Sequence, residues 1–411
     1  MQEAFQFWQE GSEPMPEYAW SNLTPKELHR QAIRMKGSAG GADGITGIEA
    51  AQLPLRAWEI LAELLTRWIA RQDFPSVWQH TRQVHLQKPG AKLRTQDQAI
   101  SAKDLRPISI QCTIWRIVSS AWTRRAATRR WILSWVHPTA CGGIHGKGVA
   151  RAVDMLFQKF EKGGVLLSLD FQKCFDTVDP ELGILCLRHF GCPSPMLQML
   201  KFVWQQPRWL TYNGEYMPGP IEVRTSLPQG DATSPLTLLA LMTGITKIVL
   251  RREPQLFSLA TFLDDRNMIA RDPQQAFRLW QTWQEVSSRL GLWENDSKAR
   301  VVPRRAAYEA QLVAQGFAQH HVTNAARVLG IDFTTRLGAS DRKTSEERLR
   351  VTKSRLQRIA VLPVGMHLKA QHVASIAIPK AAWGCWTNLS QVRCLTSIVK
   401  RTDRKSTRLN S

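Results

Sequence analysis

The sequence predicts an α+β fold in which helices back one face of an antiparallel sheet, and three observations predict it. VLLSLDF (165–171) is an almost unbroken apolar run, the composition of a strand covered on both faces. LFSLATFL and MIA flank Asp264-Asp265, the pattern of two strands joined by a tight turn. Capped helices fall between and after these strands, so the order runs strand, helix, helix, hairpin, helix.

Taken in order, residues 1–36 form a polar, helix-leaning lead-in without recognisable chemistry. A Gly-rich turn, GSAGGADGITG (37–47), precedes a helical stretch rich in Leu and Trp at about 50–72. VHLQKPG (84–90) alternates as a strand does and stops at a Pro-Gly turn, and LRPISI (105–110) reads as its returning strand. A basic helical segment follows with Arg116, Arg124, Arg125, Arg129 and Arg130. Asp179-Pro180-Glu181 opens a helix, because Asp caps the free N–H groups and Pro is preset for the first turn; Gly191 ends it. Ser234 is expected to cap the next helix in the same way, ahead of Pro235. Asp272 caps a third, with Gln275 completing a capping box; Phe277, Trp280, Trp283, Val286 and Leu290 line its apolar face up to Gly291. From 341 to 400 the pattern is helical and basic, with Arg348, Arg350, Lys353, Arg355 and Arg358 around Leu349, Leu356 and Ile359, and a boundary falls near 335–340.

Fifty-five Lys and Arg against 34 Asp and Glu give a net charge of +21, which favours a polyanionic partner through counterion release. A merely basic protein of another kind has the same charge, so this observation needs the motifs. The seven cysteines form no C-x-x-C pair and no zinc-spaced Cys/His set, the usage of reduced intracellular thiols. The N-terminus is polar and acidic, unlike a signal peptide, and the most apolar stretch, Leu236–Leu250, reads as too short and too polar to span a bilayer. No membrane is expected, and the setting is expected to be intracellular, nucleus and cytoplasm in a eukaryote. Residues 403–411, DRKSTRLNS, resemble the translation of a sequencing adapter; without their three basic residues and one aspartate the charge is still +19.

The chemistry concentrates in three carboxylates. Asp170 ends the apolar strand, and Asp264 and Asp265 occupy the hairpin tip. Carboxylates gathered from distant strand ends suit paired Mg²⁺ ions, which take hard oxygen ligands and complete their shells with substrate phosphates. An Asp ending a strand is as often a turn cap, so the weight lies on the set.

In sequence, the blocks resemble the reverse transcriptase family, and more closely the domain of non-LTR (LINE-type) retrotransposons and group II introns. GGADGITG is similar to the N-terminal extension motif of that branch, QKPG and LRPISI to fingers motifs, LDFQKCFDTV to motif A and LPQGDATSP to motif B. FLDD is similar to motif C, GLWENDSK (291–298) to motif D and VLGIDF (328–333) to the primer-grip motif E. The resemblance implies a right-hand polymerase: a lead-in at 1–36, fingers at 37–164, palm at 165–335 and a partial thumb or connection at 336–402.

It also implies roles. Asp170 and Asp264 would hold two Mg²⁺ ions, or Mn²⁺ in their place, with Asp265 assisting and the carbonyl of Phe171 as a further ligand. Phe175 would be a steric gate against ribonucleotides; the competing reading is a core ring. Gln229-Gly230 would sit beside the nascent base pair, Lys88 and Arg106 would grip the triphosphate, and Lys298 would protonate departing pyrophosphate. For Gln229, Lys88 and Arg106 a solvated face is the alternative. Asp176 and Asp179 are left outside the site, as residues that cap or orient the motif A helix. Departures from the family pattern are Leu263, bulkier than the usual Ala, Cys174 before the gate, and Arg266, a cation expected to alter metal affinity. The partners implied are an RNA template, a DNA primer or target DNA, and dNTPs, with an endonuclease on a missing part of the polyprotein. A catalytically silent nucleic-acid-binding remnant and a group II intron-type maturase are the alternatives.

Overall fold

The computed structural model describes residues 1–88, 104–144, 146–204, 207–212, 215–335 and 343–383. The Pro89-Gly90 turn, residues 336–340 at the expected boundary, and everything from 384 on, with Cys385, Cys394 and 403–411, lie outside them. The described strands are β1 (Thr81–Gln87), β2 (Leu105–Ile110), β3 (Val165–Leu169), β4 (Arg208–Tyr212), β5 (Glu215–Tyr216), β6 (Ser258–Phe262), β7 (Asp265–Ala270), β8 (Arg300–Pro303), β9 (Ala325–Val328) and β10 (Ile331–Thr334).

β3 lies inside a four-stranded antiparallel sheet of order β6-β7-β3-β8, as its apolar run requires. Side chains alternate across it. Val165, Leu167, Leu169 and Phe171 enter the large core, together with Met268 and Ala270 of β7. Leu166 and Ile269 enter a second core under the helix Val149–Glu161 and the β9–β10 hairpin. Both faces are thus covered along most of the strand, and the cover ends toward Asp170.

The large core is built on the helix Ser234–Arg252. By length and composition this helix is long and apolar enough to cross a membrane, contrary to the expectation from Leu236–Leu250. Here it is a core element, with 78% of its apolar window buried inside the protein. Trp8 of the lead-in donates its indole N–H to Leu241 O at 2.9 Å, and a Cβ on Gly244 would meet its ring at 2.2 Å. The lead-in is therefore part of the core packing, through the helices Gln2–Gln9 and Pro25–Arg34. Apolar burial worth about 25 cal/mol per Å² makes such a Trp a strong anchor.

The expected helix at about 50–72 is two, Gly47–Gln52 and Leu55–Arg71, because Pro54 holds Leu53 extended. The Gly-rich turn before it has a structural task. The Asp43 carboxylate accepts the Ile114 N–H at 3.2 Å and the Cys112 thiol at 2.9 Å, capping the helix Thr113–Thr123. Burial, reinforced by Asp43, pushes the Cys112 thiol up to about 12, and the five described cysteines are free and buried. Two arginines of the basic segment are also structural: Arg116 donates to Ala39 O, and Arg125 to Ser21 O, Asn22 O and Glu27.

β1 and β2 pair antiparallel, as LRPISI suggested. The same sheet takes in β4, parallel to β1, and β5, two strands the sequence patterns did not announce. Their short length and the polar residues around them leave little periodicity to read.

Candidate active site

The register of β3 and β7 aligns Leu169 with Arg266, so continuing it by one residue sets Asp170 opposite Asp265. Phe262 pairs with Asp265 in the β6–β7 hairpin, leaving Leu263-Asp264 as the two-residue turn, with Leu263 in the left-handed region at φ 58°. Asp170 and the Asp264-Asp265 pair, 94 positions further on, thus share one end of the sheet. Their electrostatics say the same. Burial raises the Asp264 carboxyl above its ordinary value, and the Asp170 charge adds to the rise. Desolvation in the cleft, then the charges of Asp264 and Asp170, push Asp265 up to about 6. Asp265 is exposed at the tip, so solvent weakens both causes without reversing the direction of the shift.

Beyond Asp170 the chain pairs with the 293–295 segment: Gln172 N–H bonds to Trp293 O and Asn295 N–H to Asp170 O, both at 2.8 Å. Strand alternation then turns the Phe171 carbonyl to the other side, where the hairpin lies. Its ring is buried beneath Arg266.

Arg266 lies beside the cleft but is not open to it. It lies on the β7 face opposite to Asp265, fully buried, with its guanidinium carbon 3.4 Å from the centroid of the Phe171 ring. Two nitrogens meet the Glu294 carboxylate, one at 2.8 Å. It is paired with Glu294 and stands behind the cleft, yet it still acts on it: its Nε donates to Asp264 O at 3.3 Å and its charge offsets part of the rise at Asp264 and Asp265. The cation that does meet the cleft is Lys298, whose exposed ammonium contacts Asp170. Three crowded hard oxygen donors, with the exposed Lys298 ammonium at Asp170, fit divalent cations of the Mg²⁺ class.

Motif B joins this end to the β1–β2 sheet. The Gln229 amide donates to Asp176 at 3.0 Å, and its carbonyl accepts the Ser109 N–H of β2 at 2.7 Å. Gly230 has φ 124°, and a Cβ there would lie 2.7 Å from Ser109 O. Gly230→Ala is therefore expected to cost about 1–3 kcal/mol and to impair activity; thermal melts and primer extension check both, and an unchanged melting temperature would show the turn to be permissive.

The cap expected at Ser234 is not formed. Ser234 is the first helical residue and gives its hydroxyl to Pro228 O at 2.8 Å, while Asp231 accepts the Thr233 N–H at 2.7 Å. Asp231 is buried and also receives the indole N–H groups of Trp115 and Trp204 at 2.8 and 3.3 Å. Asp179 caps its helix as expected, accepting from Glu181 N–H at 2.8 Å. Phe175 is half-buried and accepts Leu227 N–H through its carbonyl at 2.7 Å. Lys88 and Arg106 are exposed; the register places Lys88 opposite Asp104 and Arg106 opposite Leu86, so both fall on one face of the β1–β2 ribbon. Arg348, assigned above to the basic helix face, is instead buried and donates to the carbonyls of Gly330 and Trp383.

Sequence reasoning did not find Glu294, Asp231 or Asp43. Glu294 lay inside a recognised block, and period-2 alternation from Asp265 would have put Arg266 on the covered face in need of an acid. No curated protein matches the chain at a significant level. A family model for the reverse transcriptase (RNA-dependent DNA polymerase) matches residues 86–332, more than half of the sequence and the whole of the ground between β1 and β10. With that match joined to a carboxylate-bearing antiparallel sheet of the polymerase palm kind, the chain belongs to the reverse transcriptase family and is an RNA-directed DNA polymerase, a nucleotidyltransferase.

Proposed function

We propose that the chain extends a 3′-hydroxyl primer by two-metal-ion nucleotidyl transfer at Asp170, Asp264 and Asp265, as the polymerase of a non-LTR retroelement. The observation that carries the site is the β3–β7 register, with Asp170 opposite Asp265 and Asp264 in the adjoining turn. Asp170 and Asp264 hold the cations, Asp265 assists, and the Phe171 carbonyl is a further ligand. When bound, the paired cations acidify the primer hydroxyl and neutralise departing pyrophosphate.

The chain's own groups do the rest. Lys88 and Arg106, on one face of the β1–β2 ribbon, grip the triphosphate. Gln229-Gly230 seat the nascent base pair, supported by the bond from Ser109 that fastens this turn to β2. Lys298 leaves Asp170 and gives its proton to the leaving oxygen. Phe175, half-buried with part of its ring accessible, excludes a 2′-hydroxyl. Phe175→Ala is expected to admit ribonucleotides, read as incorporation of a single rNTP against its dNTP; unchanged discrimination would make it a core ring.

The division into lead-in (1–36), fingers (37–164), palm (165–335) and partial thumb (336–402) belongs to the same reading. The non-LTR assignment draws support from the Asp43 cap, which gives the Gly-x-Asp-Gly-Ile pattern a defined task. Lys353 and Arg358, exposed on the helix Lys343–Ala360, supply charge for a template–primer duplex recognised by shape. Priming comes from nicked genomic DNA, with the nick made elsewhere in the polyprotein or by another enzyme, inside the cell. Extension of a DNA primer on an RNA template with Mg²⁺ tests this; duplex binding without extension would instead indicate a silent remnant.

A further inference from the structure

We propose that Asp296, His320 and His321 form a binding site for one transition-metal dication of the zinc class, distinct in ligand chemistry from the carboxylate cleft. The three side chains come from two segments: Asp296 from the 291–298 loop, and the histidines from the turn that leads into the bridge between Val322 and β8. Asp296 Oδ1 lies 2.8 Å from His321 Nε2, and Asp296 Oδ2 lies 3.2 Å from His320 Nε2. The two rings have their centroids 4.1 Å apart.

His321 is the observation that points to a ligand. Its side chain is 2% exposed, yet neither ring nitrogen makes a hydrogen bond. Asp296 Oδ1 lies at ion-pair distance from Nε2, while Nδ1 is left without a partner among the described residues. A buried imidazole left in this way is costly, and such groups are normally satisfied. The ring has little freedom to seek another partner. Its backbone is tied on both sides, by His321 N–H to Ala318 O at 2.9 Å and by Val301 N–H to His321 O at 2.8 Å. Trp280 packs edge-on at 5.6 Å.

A dication among these atoms would satisfy the buried ring, because ligands of one ion approach each other this closely. The ligand atoms all lie within 4.8 Å of one another. Metal–nitrogen bonds are about 2.0 Å, so the exposed His320 ring must swing inward slightly to close the set. Two imidazoles and one carboxylate favour Zn²⁺ or Co²⁺ over Mg²⁺, and water completes the shell. The bound ion clips the loop that carries Glu294 and Lys298 to the β8 side of the sheet. It is a positioning site for that loop, and it takes no part in the chemistry at Asp170.

The test is a Co²⁺ titration of the full chain followed by visible absorption, alongside Zn²⁺ calorimetry and thermal melts. Asp264→Asn serves as the background in which the carboxylate cleft is weakened. The expected result is one Co²⁺ per chain with the absorption bands of imidazole ligation, and a rise in melting temperature with Zn²⁺. His320→Ala and Asp296→Asn, both exposed and safe for folding, should weaken binding at least about tenfold and remove the rise. Absence of saturable Co²⁺ binding, or binding equal in both variants and the parent, would overturn the site. Primer extension failing in the parent chain, with Asp264 intact and the bands present, would instead count against the polymerase reading alone.

Discussion

Asp264→Asn is expected to abolish primer extension while leaving the chain folded and, in the absence of divalent cations, more stable than the parent. The loss follows from removing a ligand at the point where charge develops: metal stabilisation of a phosphoryl-transfer transition state is worth several kcal/mol, and about 4 kcal/mol is about a thousandfold in rate. The gain in stability follows from the same geometry. Burial and the neighbouring Asp170 raise the Asp264 carboxyl, and Asp264 in turn raises Asp265. A carboxyl with a raised folded-state value opposes folding above that value, and the opposition fades as pH falls and the group protonates. The advantage of the variant is therefore largest above about pH 6, where Asp265 is ionised, and shrinks below it. Melting curves of parent and variant in chelator across pH 5 to 8, about the range in which Asp265 changes charge, read this directly. A variant less stable than the parent at neutral pH would mean that the three carboxylates do not crowd one another.

Glu294→Ala is expected to destabilise the chain by about 3–5 kcal/mol, because it leaves a buried guanidinium without its counter-charge. Arg266 is fully buried, stacked on Phe171 and near Trp283, and has no route to water. Activity should fall with it, since Arg266 stands directly behind the strand ends that carry Asp170 and Asp265. The double change Arg266→Met with Glu294→Leu removes both charges and should recover most of the lost stability, measured by denaturant unfolding. Equal destabilisation by the single and the double change would show that packing, not charge pairing, holds this corner.

The two cases show which parts of the molecule could be read in advance. The β3 strand, the β6–β7 hairpin and the helix Pro273–Ser288 announce themselves through periodicity and caps, which are local properties of sequence. That Asp170, Asp264 and Asp265 share one end of the sheet is legible because each lies at the end of such an element, where geometry follows from the element itself. Glu294 is not, because its partner is fixed by strand pairing and by which face of β7 is covered. The same reason hides Asp231, which satisfies Trp115 and Trp204 from different helices, and Asp43, which caps a helix 71 positions away. Arg266 is expected beside the metal site and Arg348 on a basic helix face; both are buried on long-range partners that only the tertiary fold supplies. Ser234 fails as a cap because the helix starts one residue earlier, with Thr233 at the capping position, and its hydroxyl is given to Pro228 O.

The central claim is that the carboxylates of β3 and of the β6–β7 turn share divalent cations. Anomalous scattering from crystals of the full chain with Mn²⁺, an RNA–DNA template–primer and a non-hydrolysable dNTP measures it most directly. Two peaks within ligand distance of Asp170 and Asp264, about 2.0–2.3 Å for oxygen donors of this class, are the expected result. Strong peaks elsewhere, with none between these two side chains while the nucleotide is bound, would contradict it.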